Sequence, residues 1–306
     1  MKMLKTFYRM KKVFMAGLVL VSSQAGVGFA AGATPLAQRM AETVADQPGH
    51  YAVYAARSGQ APDVCVNCDD LINAASTIKL FVLDAAYAAF AKGTLHPDDT
   101  LTVHNRFSSL VGKGHFALEQ KEDSYDPLYA QAGKAVPVSE LLRVMIQYSS
   151  NLATNLMIEK LGVLPIRSVV NAQGLNGIVF GRMIEDFDAD AQGIHNRVSA
   201  RGLGSFLQKL NNGQIVGKTQ SQSMIGIMLG QKFNDIIPPG LPAGTPVAHK
   251  TGWVNGVRND AAIVTLPDGR QYILVVLTSG LPDEQAGIKV LNTLSHQAYL
   301  YFLKKG

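Results

Sequence analysis

Cysteine is nearly absent from this chain, and its two cysteines lie together. Cys65 and Cys68 are separated by two residues. Without a pair of histidines nearby, two thiolates cannot complete the four ligands of a structural zinc site. The same spacing occurs in thioredoxin-like proteins, but the βαβ pattern of that fold is missing here. A small local disulfide or two ordinary thiols therefore accounts for these cysteines.

Charged residues are also scarce, and neither sign is in excess over most of the chain. They make up 17% of the 306 residues. Five of the 28 lysines and arginines lie within residues 1–33, which contain no acidic residue, so the remainder balances the 23 acidic residues. A near-neutral protein lacks the basic surface of a nucleic-acid-binding protein, so we expect no nucleic-acid partner.

The N-terminal apolar run is short for a membrane span. A basic stretch, Lys2–Lys12, precedes the apolar residues Val13–Val21, and Ala31-Gly32-Ala33 offers a small-residue cleavage site. This order predicts a signal peptide over residues 1–33 and export to the periplasm or the extracellular space. An uncleaved membrane anchor is the alternative, although the apolar run is followed by polar residues and glycine.

Hydrophobic periodicity predicts strands at both ends of the chain and helices between them. Two irregular segments, residues 94–135 and 174–196, interrupt the helical part. The pattern predicts an α+β fold with two lobes, in which one antiparallel sheet is built from both chain ends. We expect one domain over residues 34–306, with a sheet lobe at about 34–73 and 218–306 and a helical lobe at about 74–217. The predicted helices cover residues 35–47, 76–92, 137–146, 151–160, 165–173, 199–210, 221–229 and 283–303, and the predicted strands cover 51–56, 64–66, 247–251, 261–266 and 271–278.

The stretch that carries the clearest chemistry begins at Ser76. Lys79 follows three residues later, at the start of an apolar helix, so both side chains share one helix face. The first turn of a helix has free N–H groups that favour a developing anion. A serine beside a buried, neutral lysine is a nucleophile with its base. A plain helix cap with a nearby lysine is the alternative.

Two further polar segments interrupt apolar patterns. Ser149 and Asn151 stand in a Ser-Ser-Asn break between two helices. They either face a cleft, or the break is a plain N-cap in which Ser150 or Asn151 starts the second helix. Lys250, Thr251 and Gly252 lie on a strand predicted at a sheet edge. There they either face the same cleft or protect the edge from pairing.

Together, in this order, the three segments resemble the Ser-x-x-Lys, Ser-x-Asn and Lys-Thr-Gly motifs of the penicillin-recognising serine enzymes. The chain resembles class A β-lactamases over nearly all of the predicted mature length. This resemblance implies that Ser76 is acylated, that Lys79 takes or relays its proton, and that Ser149 passes a proton to the leaving nitrogen. The backbone N–H groups of Ser76 and Trp253 would form the oxyanion hole.

The resemblance also implies a set of substrate-binding residues. Asn151 would bind the amide side chain of the substrate, and Lys250 and Thr251 would bind its carboxylate. Gly252 would let the ligand approach the backbone, and Arg258 is either a further carboxylate ligand or an ordinary surface arginine. No cofactor is implied. A calcium loop at Asp186-x-Asp188-x-Asp190 is excluded because its glycine and closing glutamate are missing.

The chain departs from the class A pattern where the acyl-enzyme would be hydrolysed. Glu185 lies where the glutamate of the Glu-x-x-Leu-Asn loop is expected, but the Leu and Asn are replaced by Asp188 and Ala189. Glu185 is therefore either the base for deacylation or a solvated loop acid. Ser150 also replaces the aspartate of the Ser-Asp-Asn motif, and the segment 94–135 is long enough to reshape the cleft rim.

Three functions follow from these observations. The first is an exported, monomeric serine hydrolase that opens β-lactam rings. The second is a D-alanyl-D-alanine-type peptidase or an esterase that acts on cell-wall peptides and turns over β-lactams slowly. The third, of another class, is an inactive protein that binds the cell wall or a partner.

Overall fold

The computed structural model of the protein describes residues 34–304, so the predicted signal peptide lies outside the described residues. Within these residues, helices cover both faces of one main antiparallel sheet. The helices are α1 Pro35–Ala45, α2 Lys79–Ala91, α3 Val138–Gln147, α4 Asn151–Leu161, α5 Val163–Ala172, α6 Phe187–Ala191, α7 Ala200–Asn211, α8 Lys218–Met228 and α9 Glu284–Lys304. The strands are β1 His50–Arg57, β2 Val64–Val66, β3 Ile72–Asn73, β4 Thr100–Thr102, β5 Phe107–Ser108, β6 His115–Phe116, β7 Ala135–Pro137, β8 Ile178–Val179, β9 Arg197–Val198, β10 Val247–Val254, β11 Val257–Thr265 and β12 Gln271–Ser279.

The main sheet joins the two ends of the described chain. Its strand order is β10-β11-β12-β1-β2, and every neighbouring pair is antiparallel. β1 pairs with β12 along its whole length, from His50 opposite Ser279 to Arg57 opposite Tyr272. The α+β prediction is therefore confirmed, and β10 lies at the predicted edge. The boundary between the two lobes stays a prediction.

Both faces of the sheet are buried, which explains why β1 reads as a nearly continuous apolar run. Because side chains alternate across a strand, Ala52 and Tyr54 face the helical core, whereas Tyr51 and Val53 pack with α1 and α9. The sheet therefore separates two hydrophobic cores. The larger core contains α2, α3, α4, α7 and α8 and forms the support for the functional site.

Helix α2 is the central helix of this larger core. Its first eight residues, Lys79 to Ala86, are all buried, including the charged Lys79 and Asp84. A helix that is apolar on nearly all sides fits only the interior of a protein. The helix ends where predicted, because Gly93 adopts a φ of +67° just after the cap residue Lys92.

The hairpin between β10 and β11 is longer than the sequence pattern predicted. The two strands pair up to Val254 opposite Val257, so the loop consists of Asn255 and Gly256. Asn-Gly is a strong signal for a two-residue hairpin turn, and Gly256 takes a φ of +70°. The sequence pattern placed the first strand at 247–251, whereas pairing with β11 continues it to Val254.

The two segments predicted to be irregular contain short ladders. In segment 94–135, β4 pairs with β7 and β5 pairs with β6. In the second segment, β8 joins a small sheet of order β3-β9-β8. Helix α8 begins at Lys218, three residues before the predicted start. Such short elements depend on contacts with distant parts of the chain, which local periodicity does not encode.

The two cysteines form a disulfide, so the first of the two sequence alternatives is confirmed. Among the described residues, Cys65, Cys68 and Asp69 bring potential metal-ligand atoms within 4.8 Å of one another. Because both sulfurs are bonded to each other, they are not available as thiolate ligands. Within residues 34–304, no helix combines the length and the apolar character needed to cross a membrane.

Buried Asp84 leads to a prediction about stability. Its Oδ2 accepts a 2.6 Å hydrogen bond from Gln173 Nε2, while Oδ1 and Gln173 Oε1 have no partner among the described residues. Burial raises the pKa of Asp84 to about 7. The unfolded chain therefore ionises this group at lower pH than the folded chain, so stability is lost as the pH rises towards 7.

We expect Asp84→Asn to raise the free energy of unfolding by on the order of 3 kcal/mol at about pH 8 and to change it little below about pH 4. The asparagine also offers a donor to Gln173 Oε1. Urea unfolding at both pH values measures the difference, with exposed Asp98→Asn as the control. An equal effect of Asp84→Asn at both pH values would contradict the prediction.

Candidate functional site

Ser76 lies in a tight 3₁₀ turn, Ala75–Ile78, that leads directly into α2. Side chains on both sides close this turn: Thr77 Oγ1 donates to the Ala74 carbonyl at 2.7 Å, and Asn73 Oδ1 accepts from the Ala75 N–H at 2.9 Å. Ala75 takes a φ of +44°, a conformation that L-residues rarely adopt. The serine is thus held in a strained turn, as residues at functional sites often are.

Strand β10 lies directly against this turn because Gly252 has no side chain. A Cβ atom at Gly252 would stand 2.8 Å from Ser76 N and 3.0 Å from Thr77 N. From β11, Asn259 Nδ2 donates to the Asn73 carbonyl at 2.9 Å, which ties the turn to the sheet. The sheet edge therefore positions the serine, and the close approach explains the glycine.

Lys79 is fully buried, and its amine contacts the second motif rather than Ser76. Its Nζ donates to the Ser149 carbonyl at 2.5 Å, to Asn151 Oδ1 at 2.8 Å and to Ser149 Oγ at 3.3 Å. Burial lowers the pKa of Lys79 to about 7, although the charges of Asp123 and Glu185 act in the opposite direction. A substantial fraction of this amine is therefore neutral near neutral pH, as a base requires.

Ser149 joins the two buried lysines. Its Oγ accepts from Lys250 Nζ at 3.0 Å and from Lys79 at 3.3 Å, so its own proton is free to point into the cleft. Burial, and then the nearby charge of Lys79, holds the pKa of Lys250 well below its ordinary value. The cap alternative for this segment holds as well, because Ser150 Oγ accepts from Ala153 N at the start of α4.

Glu185 is half-buried, lines the cleft and is hydrogen-bonded, while its role stays a prediction. Its Oε1 accepts from Asn151 Nδ2 at 3.0 Å, and its Oε2 accepts from the Glu119 N–H at 3.3 Å. The side-chain amide of Asn155 bonds both the N–H and the carbonyl of Ile184, which holds the loop in place. Burial raises the pKa of the Glu185 carboxyl, although its hydrogen bonds with the Glu119 N–H and with Asn151 act in the opposite direction.

These side chains surround an open cleft of about 590 Å³. Ser76, Ser149, Asn151 and Glu185 line its floor, and Trp253, Arg258 and Glu284 line it from the sheet side. The segment 94–135 contributes Glu119, Glu122 and Ser124 to the cleft, in agreement with its predicted position at the rim. No local motif marks them, because their place depends on contacts with distant loops.

The remaining predicted residues lie at the sheet edge. Thr251 is buried, and its Oγ1 has no hydrogen-bond partner among the described residues. Arg258 forms an ion pair with Glu284, so its charge is already compensated. The Trp253 indole is partly exposed and packs edge-on against Phe233, with the ring centroids 4.8 Å apart.

Comparison with known proteins places this arrangement in one family. The profile of the Beta-lactamase enzyme family matches residues 35–302, which is nearly the whole described chain. The chain belongs to this family. The matched residues include all three motifs named from the sequence, and the predicted resemblance is confirmed.

The curated relatives are distant and match only part of the chain. The extended-spectrum β-lactamase PER-1 of Pseudomonas aeruginosa is 27% identical over 56% of this chain and 59% of its own length. The carbapenem-hydrolyzing β-lactamase KPC of Klebsiella oxytoca is 29% identical over 48% of this chain and 52% of its own. The chain thus spans about half the length of the curated relatives it matches.

Solved structures match this chain over more of its length than the curated relatives do. PBP-A is 25% identical, with a TM-score of 0.73, over 88% of this chain and 96% of PBP-A. The TLA-3 extended-spectrum β-lactamase is 18% identical, with a TM-score of 0.75, over 88% of this chain and 98% of its own, which shows the shared fold.

The contact between Gly252 and the Ser76 turn leads to a second prediction. We expect Gly252→Ala to lower the free energy of unfolding by about 1–3 kcal/mol, because the added methyl group forces β10 away from the turn. Gly226→Ala in α8 is the matched control, since its Cβ would meet nothing within 4 Å, and we expect it to stabilise the helix by about 0.5–1 kcal/mol. Urea unfolding measures both. Equal stability of the two variants would contradict the close-contact interpretation.

Proposed function

We propose that this protein is an exported serine β-lactamase that forms an acyl-enzyme on Ser76 and hydrolyses it with a water activated by Glu185. The observation that carries this proposal is the continuous contact from Lys79 through the Asn151 amide to Glu185. Both proposed bases thus contact the same side-chain amide, Lys79 at Asn151 Oδ1 and Glu185 at Asn151 Nδ2. The family membership and the β-lactamases among the relatives support the same function.

In the acylation step, Ser76 Oγ attacks the β-lactam carbonyl carbon and loses its proton to neutral Lys79. The N–H groups of Ser76 and Trp253 would stabilise the oxyanion, in a site where each donor typically contributes about 3–4 kcal/mol. The C–N bond then breaks, and the nitrogen takes the proton of Ser149. Lys79 and Lys250 both contact Ser149 Oγ, so the proton lost by Ser76 can replace the one that Ser149 donates.

In the deacylation step, Glu185 takes a proton from a water that attacks the ester carbonyl carbon. Ser76 Oγ leaves and takes a proton from the lysine and serine network, and the proton held by Glu185 then returns to that network, which restores the starting state of the site. The raised pKa of Glu185 suits a general base, because it brings the proton affinity of the carboxylate closer to neutral pH. The Leu and Asn of the Glu-x-x-Leu-Asn pattern are not needed to hold it, since Asn151 and the Glu119 N–H do so.

Substrate binding is assigned to the sheet edge. The unpartnered Thr251 hydroxyl and the Lys250 amine would receive the carboxylate of the β-lactam, and that negative charge would favour the protonated form of the amine. Arg258 would assist only if its ion pair with Glu284 opens. Asn151 already uses both ends of its amide inside the site, so its predicted contact with the substrate amide would replace one of these bonds.

Export is proposed from the N-terminal sequence, in which a basic stretch, an apolar stretch and a small-residue cleavage site follow one another. We further propose that the exported protein acts as a monomer. The cleft is built from a single chain, so catalysis on a small molecule needs no partner subunit.

The second candidate function is a D-alanyl-D-alanine-type cell-wall peptidase with slow β-lactam turnover. It is motivated by the missing Glu-x-x-Leu-Asn sequence, and a mutant of PBP-A, to which the chain is similar, has been solved as an acyl-enzyme complex with penicillin G. The two functions share acylation and differ in the fate of the ester. The lifetime of the acyl-enzyme therefore separates them.

We expect intact-mass analysis with benzylpenicillin to show a short-lived adduct on the wild type, no adduct on Ser76→Ala, and a long-lived adduct on Glu185→Gln. Deacylation of Glu185→Gln should be slower by at least about a hundredfold, because a general base contributes that much. Glu159→Gln, a surface glutamate paired with His104, is the control and should match the wild type. A wild-type adduct as stable as that of Glu185→Gln would favour the peptidase.

Acylation should also depend on pH. Because only the neutral amine of Lys79 accepts the serine proton, the acylation rate should rise with pH with a midpoint at about 7. Stopped-flow measurement of the acylation burst with a chromogenic cephalosporin would record this profile. A rate that stays constant over about two pH units on either side of that midpoint would contradict the role of Lys79.

A further inference from the structure

A buried carboxylate from the segment 94–135 lies directly behind the Ser149–Asn151 segment. Asp123 is 9% exposed. Its Oδ2 accepts from the Leu152 N–H at 2.7 Å, from Tyr129 Oη at 3.2 Å and from Ser150 Oγ at 3.3 Å. Its Oδ1 accepts from the Tyr125 N–H at 3.0 Å. Two donors near Asp123 in the sequence and two from the start of α4 thus converge on one carboxylate.

These contacts fix the start of helix α4. The first N–H groups of a helix lack intrahelical partners. Here Asp123 accepts from Leu152 N, and Ser150 Oγ accepts from Ala153 N, so two of these groups are satisfied by side chains. A negative charge at a helix N-terminus is also favourable. Asn151, the first residue of the helix, is thereby held between Lys79 and Glu185.

The same carboxylate acts on the charges of the site. Three charged groups from other parts of the chain act on Lys79. They are Asp123 in the segment 94–135, Glu185 in the loop before α6, and Lys250 on β10. Against the dominant effect of burial, the charge of Asp123 raises the pKa of Lys79 more than that of Glu185 does. It also raises the pKa of Glu185, although burial is the larger cause. Asp123 therefore reaches the two proposed bases without contacting the substrate cleft.

We propose that Asp123 is a positioning residue of this active site, which supplies from the segment 94–135 the carboxylate that is missing at Ser150. The Ser-Asp-Asn pattern carries that carboxylate within the motif, whereas this chain has Ser150 there and brings Asp123 from 27 residues upstream. The proposal rests on the proposed Ser76 acylation for its kinetic readout. Its structural part concerns the start of α4 and is measured without any substrate.

The kinetic test compares Asp123→Asn, Asp123→Ser and the exchange variant Asp123→Ser/Ser150→Asp with the wild type. We expect Asp123→Asn to slow acylation by benzylpenicillin about tenfold or more, since a charge-assisted hydrogen bond is lost. The midpoint of its pH profile should move to lower pH, because a charge that favours protonated Lys79 is removed. A purely structural role would lower the rate without moving the midpoint.

The exchange variant should recover acylation to within about threefold of the wild type, while Asp123→Ser alone should not. Asp126→Asn is the matched control, because this neighbouring acid is exposed and lies outside the Leu152 contact. An exchange variant no faster than Asp123→Ser would overturn the proposal. So would an Asp123→Asn variant with the wild-type rate and midpoint.

Hydrogen exchange without substrate provides the independent readout. The backbone amides at the start of α4 should exchange about tenfold faster in Asp123→Ala than in Asp126→Ala. If the wild type fails to form any acyl adduct while this difference is observed, the proposed function fails and the positioning role of Asp123 stands. If exchange is unchanged in Asp123→Ala, the positioning role fails whatever the activity.

Discussion

The buried amine of Lys79 is the group on which the rest of this site depends. A lysine removed from water is costly unless oxygen acceptors surround it or it gives up its proton. This chain provides both conditions, since Ser149 and Asn151 accept from Nζ and burial brings the pKa to about 7. The acceptors come from a loop about 70 residues away, so the amine holds two helices and one loop in a single arrangement.

The sheet imposes the second constraint. Because β10 lies at its edge, Gly252 lets the strand touch the Ser76 turn, and Lys250 on the same strand contacts Ser149. Asn259 on the next strand bonds the backbone just before that turn. Ser76, the proposed nucleophile, and β10, the strand proposed to bind the substrate, are thus held together by close contact, and precise positioning of this kind supports catalysis.

The acids around the cleft explain how the site tolerates its altered sequence. Glu185 keeps a defined place without the Leu and Asn of the class A loop, because Asn151 and the Glu119 N–H bond its two oxygens. Asp123 similarly stands behind a motif whose middle residue is Ser150. Both replacements depend on the segment 94–135, which therefore belongs to the site as well as to the surface.

The sequence alone determined the fold class, the sheet from both chain ends, the central apolar helix and the three motifs, because periodicity and residue spacing are local properties that one face of a helix or strand expresses directly. It did not reveal Asp123 and Glu119, and it left Glu185 between two roles. The surroundings of these residues were decided by the tertiary structure, since the burial of a carboxylate and the donors that bind it are supplied by distant segments.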